Sequence, residues 1–260
     1  MQLVPVTWDL ANQRWRDIAA QPYAAAKRAA YGYAQAAVAL DHEARGATFA
    51  GTLTASGLKP NFAYQLKLNG KPSRLHGAEG DDQANERLGR AGRWWARQIR
   101  RADGATVRQW RSRDAEFDEW KSRGFADDAH DVVFEGYLLL AYLATDAEGR
   151  ATLPFALDSS FHVLFKTSQR PPKPNDSVPT PHQVVATAAS GWYDEDLPPQ
   201  TVELYAEWEP SRALPGRCSL PPGDYRASLF LTEESFHERE PDSGSWATVL
   251  AADPVAFTIV

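Results

Sequence analysis

A turn with the sequence Leu58-Lys59-Pro60-Asn61-Phe62-Ala63-Tyr64 leads into the alternating run Gln65-Leu66-Lys67-Leu68. The proline fixes φ where the chain changes direction, and a tyrosine that enters a strand can bury its ring while its hydroxyl hydrogen-bonds backbone upstream. A related turn, Leu220-Pro221-Pro222-Gly223-Asp224-Tyr225, precedes the run that ends at Leu231. The two turns predict strands that cross between stacked antiparallel layers, and hence a β-sandwich.

These turns also carry a resemblance to known families. The first resembles the tyrosine corner of fibronectin type III domains, and the second is similar to the Leu-Pro-x-Gly-x-Tyr turn of bacterial surface β-sandwich modules. A third stretch, Thr145-Asp146-Ala147-Glu148-Gly149-Arg150-Ala151-Thr152, resembles the hairpin common in bacterial immunoglobulin-like and prealbumin-like modules. The resemblance implies an immunoglobulin- or fibronectin-like antiparallel β-sandwich that acts as an extracellular or envelope-associated binding or structural module.

Alternation of apolar and polar residues predicts the other strands, and the whole chain is expected to form a single domain over residues 1–260. Residues 1–28 are interpreted as an N-terminal extension with a short helix over 11–20, because alanine favours helix. Further strands are predicted at residues 48–54, 132–144, 151–157, 160–167, 201–209 and 254–260.

Residues 81–125 have a different pattern, in which apolar residues recur at helical spacing. One stripe consists of Leu88, Ala91, Trp95 and Ile99, and another consists of Val107, Trp110, Phe117 and Trp120. The pattern predicts an α-helical hairpin inserted into the sandwich. Between residues 85 and 125 the chain carries eleven Lys and Arg against six Asp and Glu, so this segment is basic in an otherwise acidic protein.

Composition excludes several classes of protein. The formal net charge of −6 argues against general nucleic-acid binding, which depends on a basic surface, and a single cysteine excludes an internal disulfide. No apolar run is long enough for a membrane span.

The N-terminal residues do not have the pattern of a signal peptide, so we expect either a cytoplasmic protein or, if a signal peptide was removed, an extracellular or periplasmic one. The sequence leaves the oligomeric state open.

Catalytic and cofactor motifs such as G-x-S-x-G, the P-loop, G-x-G-x-x-G and H-E-x-x-H do not occur in the sequence, which argues against an enzyme without excluding one. The best candidate for a metal site combines histidine and carboxylate donors that suit zinc or copper. This site requires the fold to bring the strand predicted at residues 160–167 close to the end of the strand that starts at Tyr225. The candidate ligands are His162, Glu233, Glu234 and His237, with Lys166 as a charged neighbour.

The second candidate site is the run Arg93-Trp94-Trp95-Ala96-Arg97. Two adjacent tryptophans on a helix cannot both face one core stripe, so one ring is available to cap a pocket, to pair with an arginine or to bind a partner. Arginine interleaved with tryptophan is also compatible with binding to an anionic polymer. We favour internal pairing of these arginines with nearby acids. The leading hypothesis is therefore a binding module for a small ligand, a glycan or a protein.

Overall fold

The computed structural model describes residues 1–7, 13–70, 94–100, 106–111, 132–156, 162–166, 182–207, 220, 222–233 and 247–260. Strands dominate these residues, which confirms a mainly β protein, and the helix α1 (Ala25–Ala30) and a 3-10 turn (Tyr33–Gln35) accompany them. No helix in these ranges has the length and hydropathy needed to cross a bilayer. The strands are β1 (Gln2–Pro5), β2 (Ala37–His42), β3 (Arg45–Gly46), β4 (Ala50–Ser56), β5 (Ala63–Gly70), β6 (Trp94–Arg100), β7 (Thr106–Arg111), β8 (Val132–Ala144), β9 (Ala151–Ala156), β10 (His162–Lys166), β11 (His182–Ala186), β12 (Thr201–Glu207), β13 (Gly223–Glu233) and β14 (Ala247–Ile259).

Most strands belong to one long sheet with the order β7-β6-β8-β5-β13-β14-β1-β2-β4-β9. Every neighbouring pair along this order is antiparallel, and the two-residue strand β3 joins β14 in parallel. A second sheet has the order β10-β12-β11. The antiparallel architecture is the one that alternating strands joined by short turns favour.

The long sheet curls so that its two parts enclose one core. Strand β4 connects to β5 through the 58–64 turn, and β8 connects to β9 through residues 145–150, although these strands lie far apart in the sheet order. Aromatic contacts link the two parts: Phe49 stacks on Phe257 of β14 with ring centroids 4.2 Å apart and contacts Phe155 of β9 at 5.4 Å. The 58–64 turn therefore carries the chain from one part of this single sheet to the other, whereas the sequence predicts a crossing between the stacked layers of a sandwich.

The three-stranded sheet covers the outer face of β5. Leu204 of β12 packs with Ala63 of β5 and Ile18 in a small cluster of buried residues. Gln65 and Lys67, which alternate with the core residues of β5, are only 1% and 2% exposed. Both faces of β5 are thus buried, and the turn that precedes it lies deep in the molecule.

The predicted helical hairpin over 81–125 is wrong where the structure describes that segment. Residues 94–100 and 106–111 form β6 and β7, which pair with each other, and β6 also pairs with β8. Aromatic and β-branched residues are favourable in strands, so the apolar residues of this segment do not require a helix. Hydrogen bonding to neighbouring strands then determines the conformation. Residues 81–93, 101–105 and 112–125 lie outside the described residues.

The N-terminal residues are more closely integrated than the predicted extension over 1–28 implies. Strand β1 lies inside the long sheet, between β14 and β2. Residues 13–20 contain no helix, and a bridge between Arg16 and Pro22 closes a loop there instead. The helix α1 begins only at Ala25. Backbone pairing with the rest of the protein, rather than alanine propensity, determines the conformation of this segment.

Candidate functional site

The 58–64 turn has the internal hydrogen bond that the sequence predicts. The ring of Tyr64 is fully buried, and its hydroxyl accepts a hydrogen bond from the amide of Lys59, five residues upstream, at 3.1 Å. Tyr225, at the start of the second turn's strand, is also buried, and its ring stacks on Phe257 with centroids 5.1 Å apart. Burial of both phenol rings supports the interpretation of these tyrosines as core residues at strand entrances.

The 58–64 turn interlocks with the turn over residues 145–150. The amide of Leu58 donates to the carbonyl of Gly149 at 3.1 Å, and the amide of Phe62 donates to the hydroxyl of Thr145 at 2.9 Å. Asp146 shapes the second turn, since its carboxylate accepts from two amides within that turn. Two of the three stretches that carry the family resemblance therefore contact each other directly.

Asn61 attaches a third segment, the loop over residues 187–193. Its side-chain amide donates to the carbonyl of Ala188 at 2.8 Å and accepts from the amide of the same residue at 3.1 Å. It also donates to the hydroxyl of Tyr193 at 3.0 Å, and that hydroxyl donates to Asp17 at 2.6 Å. Burial raises the pKa of Asp17, and the hydrogen bond from Tyr193 opposes the rise. Asn61 has φ of 49°, a left-handed conformation that asparagine tolerates.

A buried ion pair lies beneath the turn. The ammonium of Lys59 is 2.5 Å from a carboxylate oxygen of Glu233, and both side chains are 0% exposed. The hydroxyl of Tyr33 donates to the same oxygen at 2.5 Å, and it also contacts the hydroxyl of Tyr64 at 3.0 Å. Burial lowers the pKa of Lys59, and the carboxylate of Glu233 opposes that effect. The pair is the ionic centre of the site.

Aromatic rings surround the ammonium of Lys59. It lies 4.0 Å from the ring centroid of Trp15 and 5.1 Å from that of Phe62. The exposed guanidinium of Arg28 approaches the same Trp15 ring at 5.6 Å. The indole thus contacts both a buried cation and an exposed one, and cation–π attraction stabilises both contacts.

Four partly exposed aromatic side chains lie above this centre and are called the aromatic surface here: Trp15, Tyr31, Trp192 and Tyr193. The rings of Trp15 and Tyr31 meet edge to face at 6.3 Å, and those of Tyr31 and Trp192 meet at 5.1 Å. The buried ring of Tyr23 supports Trp192 at 5.2 Å and Tyr193 at 5.8 Å from below. The hydroxyl of Tyr31 donates to the carbonyl of Gly57 at 3.2 Å. Each ring therefore has a defined position.

High pH should destabilise the protein steeply, because burial raises the pKa of six tyrosines. In the unfolded chain a phenol loses its proton near pH 10, whereas these phenols keep theirs in the folded state. Above about pH 10 the unfolded state binds fewer protons, so the free energy of unfolding falls as pH rises toward the folded-state pKa values. Urea midpoints and tyrosinate absorbance at about pH 8 and about pH 11 check this, and phenols that titrate near pH 10 without a change in midpoint would contradict it. The six are Tyr23, Tyr31, Tyr33, Tyr64, Tyr142 and Tyr193.

Two of the four predicted metal ligands, His162 and Glu233, lie in strands that the structure describes. Glu233 lies in the core, where its oxygens accept hydrogen bonds from Lys59 and Tyr33, so we assign it as the partner of Lys59 and not as a metal ligand. Glu234 and His237 lie outside the described residues. Strand β10 places His162 opposite Glu207 of β12. In the described ranges no group of three or more His, Cys, Asp or Glu side chains is arranged to hold a metal. A zinc or copper site with His162, Glu234 and His237 stays a prediction.

The predicted arginine and tryptophan site lies on a strand and not on a helix. Trp94, Trp95 and Arg97 belong to β6, and Arg93 lies outside the described residues. Successive residues of a strand belong to opposite faces, so the helical argument about the two tryptophans no longer applies. Lys166 lies on β10, in the second sheet. Ligand or anionic-polymer binding through these residues stays a prediction.

Sequence reasoning did not find the Lys59–Glu233 pair or the aromatic surface. A signal for Glu233 exists in β13, where Tyr225, Leu229 and Leu231 are buried and Glu233 continues the same period of two. A charge on the apolar face of a strand predicts a buried, partnered side chain. No comparable local pattern identifies Lys59, because its partner is 174 residues away.

Comparison of the chain with protein-family models, curated proteins and solved structures finds no match. We therefore infer the function from the geometry of the site itself. That geometry consists of the 58–64 turn, the buried ion pair and the aromatic surface above them.

Proposed function

We propose that the protein is an extracellular or envelope-associated binding module of immunoglobulin- or fibronectin-like character, and that the aromatic surface is its ligand-binding face. The observation that carries the proposal is the set of four partly exposed rings, of which three contact one another in series and the fourth, Tyr193, packs on the buried Tyr23. Rings that are already fixed lose little side-chain entropy on binding, and aromatic residues dominate the energy of many binding surfaces.

The ionic groups of the site favour binding over catalysis. Lys59 and Glu233 carry groups of the kind that act as a nucleophile or a general base in enzymes. Both side chains, however, are 0% exposed beneath the rings. A catalytic group must reach the atom on which it acts. A ligand on the aromatic surface would meet the ring faces, the phenol hydroxyls and the exposed Arg28, which together position a ligand but do not react with it.

The shape of the surface indicates a class of ligand. The planes of Trp15 and Tyr31 differ by 87°, and those of Tyr31 and Trp192 differ by 66°. Rings in this arrangement do not form one flat platform, so they fit a single flexible chain better than a flat crystalline solid. Aromatic rings with hydrogen-bonding tips suit the apolar faces and hydroxyl edges of sugars. We therefore propose a soluble glycan chain as the ligand.

Trp192→Ala is expected to weaken glycan binding at least about tenfold, because truncation of an aromatic anchor removes about 1–2 kcal/mol or more of binding energy. The probes are soluble fragments of cellulose, chitin and peptidoglycan, measured by isothermal titration calorimetry. The control is Val4→Ala, which removes an exposed apolar side chain from β1 and should not change binding. No binding by the native protein to any of the three, or equal binding by Trp192→Ala, would contradict the proposal.

A further inference from the structure

The buried ion pair holds the backbone of one residue, Arg14, in the N-terminal segment, which is defined here as residues 13–23. The ammonium of Lys59 donates a hydrogen bond to the carbonyl of Arg14. The amide of Arg14 donates to the second carboxylate oxygen of Glu233. Each charged group therefore binds its counterion and one backbone group of Arg14, the carbonyl for Lys59 and the amide for Glu233. Trp15 is the next residue in the chain.

The two halves of the N-terminal segment are attached differently. The second half is joined to the 58–64 turn by neutral hydrogen bonds, from the amide of Ile18 to the carbonyl of Asn61 at 2.9 Å and from the hydroxyl of Tyr23 to the carbonyl of Pro60 at 2.7 Å. The first half is attached through Arg14, where the ion pair supplies both hydrogen bonds. The position of Trp15 thus depends on the pair, which holds the preceding residue, and on the hydrogen bond that its carbonyl accepts from the amide of Tyr23 at 3.2 Å.

Overall stability does not account for a pair of this kind. Removing two charges from water costs several kcal/mol per ion, and well-packed apolar side chains often replace a buried pair without loss. An apolar pair cannot provide a directional donor and acceptor for the backbone carbonyl and amide of one particular residue. Buried polar groups that are satisfied in only one arrangement select that arrangement over others.

We propose that the Lys59–Glu233 pair is a latch that fixes the N-terminal segment at Arg14 and so positions Trp15 in the aromatic surface. Lys59 and Glu233 are positioning residues in this account, since neither reaches the surface. The latch acts in the protein without ligand, so it can be tested whether or not the aromatic surface binds a glycan. If the latch fails its test, the proposed function is still judged by the binding experiment described above.

The test is tryptic cleavage after Arg14 in the double variant Lys59→Met/Glu233→Met, which removes both charges at nearly constant side-chain length. Cleavage of a buried bond requires local opening, and its rate follows the population of the open form. We expect the double variant to fold and cleavage after Arg14 to be on the order of 100-fold faster than in the native protein. Cleavage after Arg28, on the exposed helix α1, should stay within about threefold and shows whether the substitutions loosen the chain outside the N-terminal segment.

Tyr33→Phe is the matched control, because it removes a hydrogen bond to Glu233 but leaves both hydrogen bonds to Arg14. It should not accelerate cleavage after Arg14. If the double variant does not fold, Glu233→Gln is measured in the same way, because the amide group puts a donor in place of one of the two acceptor oxygens. Unaccelerated cleavage after Arg14 in a folded variant would overturn the latch. Failure of both variants to fold would also overturn it, since the pair would then support the whole fold and not one segment.

Discussion

Lys59→Met alone is expected to lower the free energy of unfolding by about 3–5 kcal/mol, which is the usual cost of removing one partner from a buried ion pair. The carboxylate of Glu233 is 0% exposed and would remain without its counterion. Tyr33 would still donate to it, but a neutral hydroxyl does not balance a charge. Urea unfolding at neutral pH, followed by tryptophan fluorescence, measures the loss.

Lys27→Met provides the control for this substitution. Lys27 lies on the exposed helix α1, and the same chemical change there should alter the free energy of unfolding by no more than about 0.5 kcal/mol. A loss below about 1 kcal/mol for Lys59→Met would show that Glu233 is not buried with Lys59 as described. The comparison between the single and the double variant then separates the cost of an unbalanced charge from the value of the pair.

Gly149→Ala is expected to destabilise the protein by about 2–5 kcal/mol, through backbone strain and a steric clash. Gly149 has φ of 72°, and a Cβ atom there would lie 1.9 Å from the carbonyl oxygen of Leu58. The two backbones cannot separate without losing the hydrogen bond from the amide of Leu58 to the carbonyl of Gly149. The interlocked turns would have to open, and thermal unfolding should shift down by roughly 5–15 °C.

Gly191→Ala is the matched control, since a Cβ atom at that position would meet no atom within 4 Å. Its thermal midpoint should stay within about 2 °C of the native value. A Gly149→Ala variant that melts together with Gly191→Ala would mean that the two turns are not in contact. Circular dichroism is sufficient for this comparison.

Local patterns in the sequence predict much of the fold. The strand predicted over residues 132–144 is β8 with the same bounds, and the predicted hydrogen bond of Tyr64 to upstream backbone is present. Strand alternation and proline-containing turns depend on neighbouring residues, so the sequence reveals them directly. The turn over residues 145–150 is likewise determined by neighbouring residues, since Asp146 accepts hydrogen bonds from two amides within it.

Features that depend on pairing between distant residues could not be predicted. β6 and β7 are strands because they pair with each other and with β8, and β1 lies inside the sheet because β14 and β2 pair with it. The site is built from contacts of the same kind: Glu233 is 174 residues from Lys59 and 219 from Arg14. A side chain's chemistry is visible in the sequence, but the partner that the topology brings to it is not.

Amide hydrogen exchange measured by NMR tests most directly whether the 58–64 turn organises the site. The amides of Lys59, Phe62 and Ala188 donate to side chains of Tyr64, Thr145 and Asn61, at distances of 3.1, 2.9 and 3.1 Å. We expect these three amides to exchange as slowly as those in the centres of β5 and β13, because opening any of them requires the joined segments to separate. Exchange within about tenfold of the rate of an unfolded chain at these positions would contradict the account.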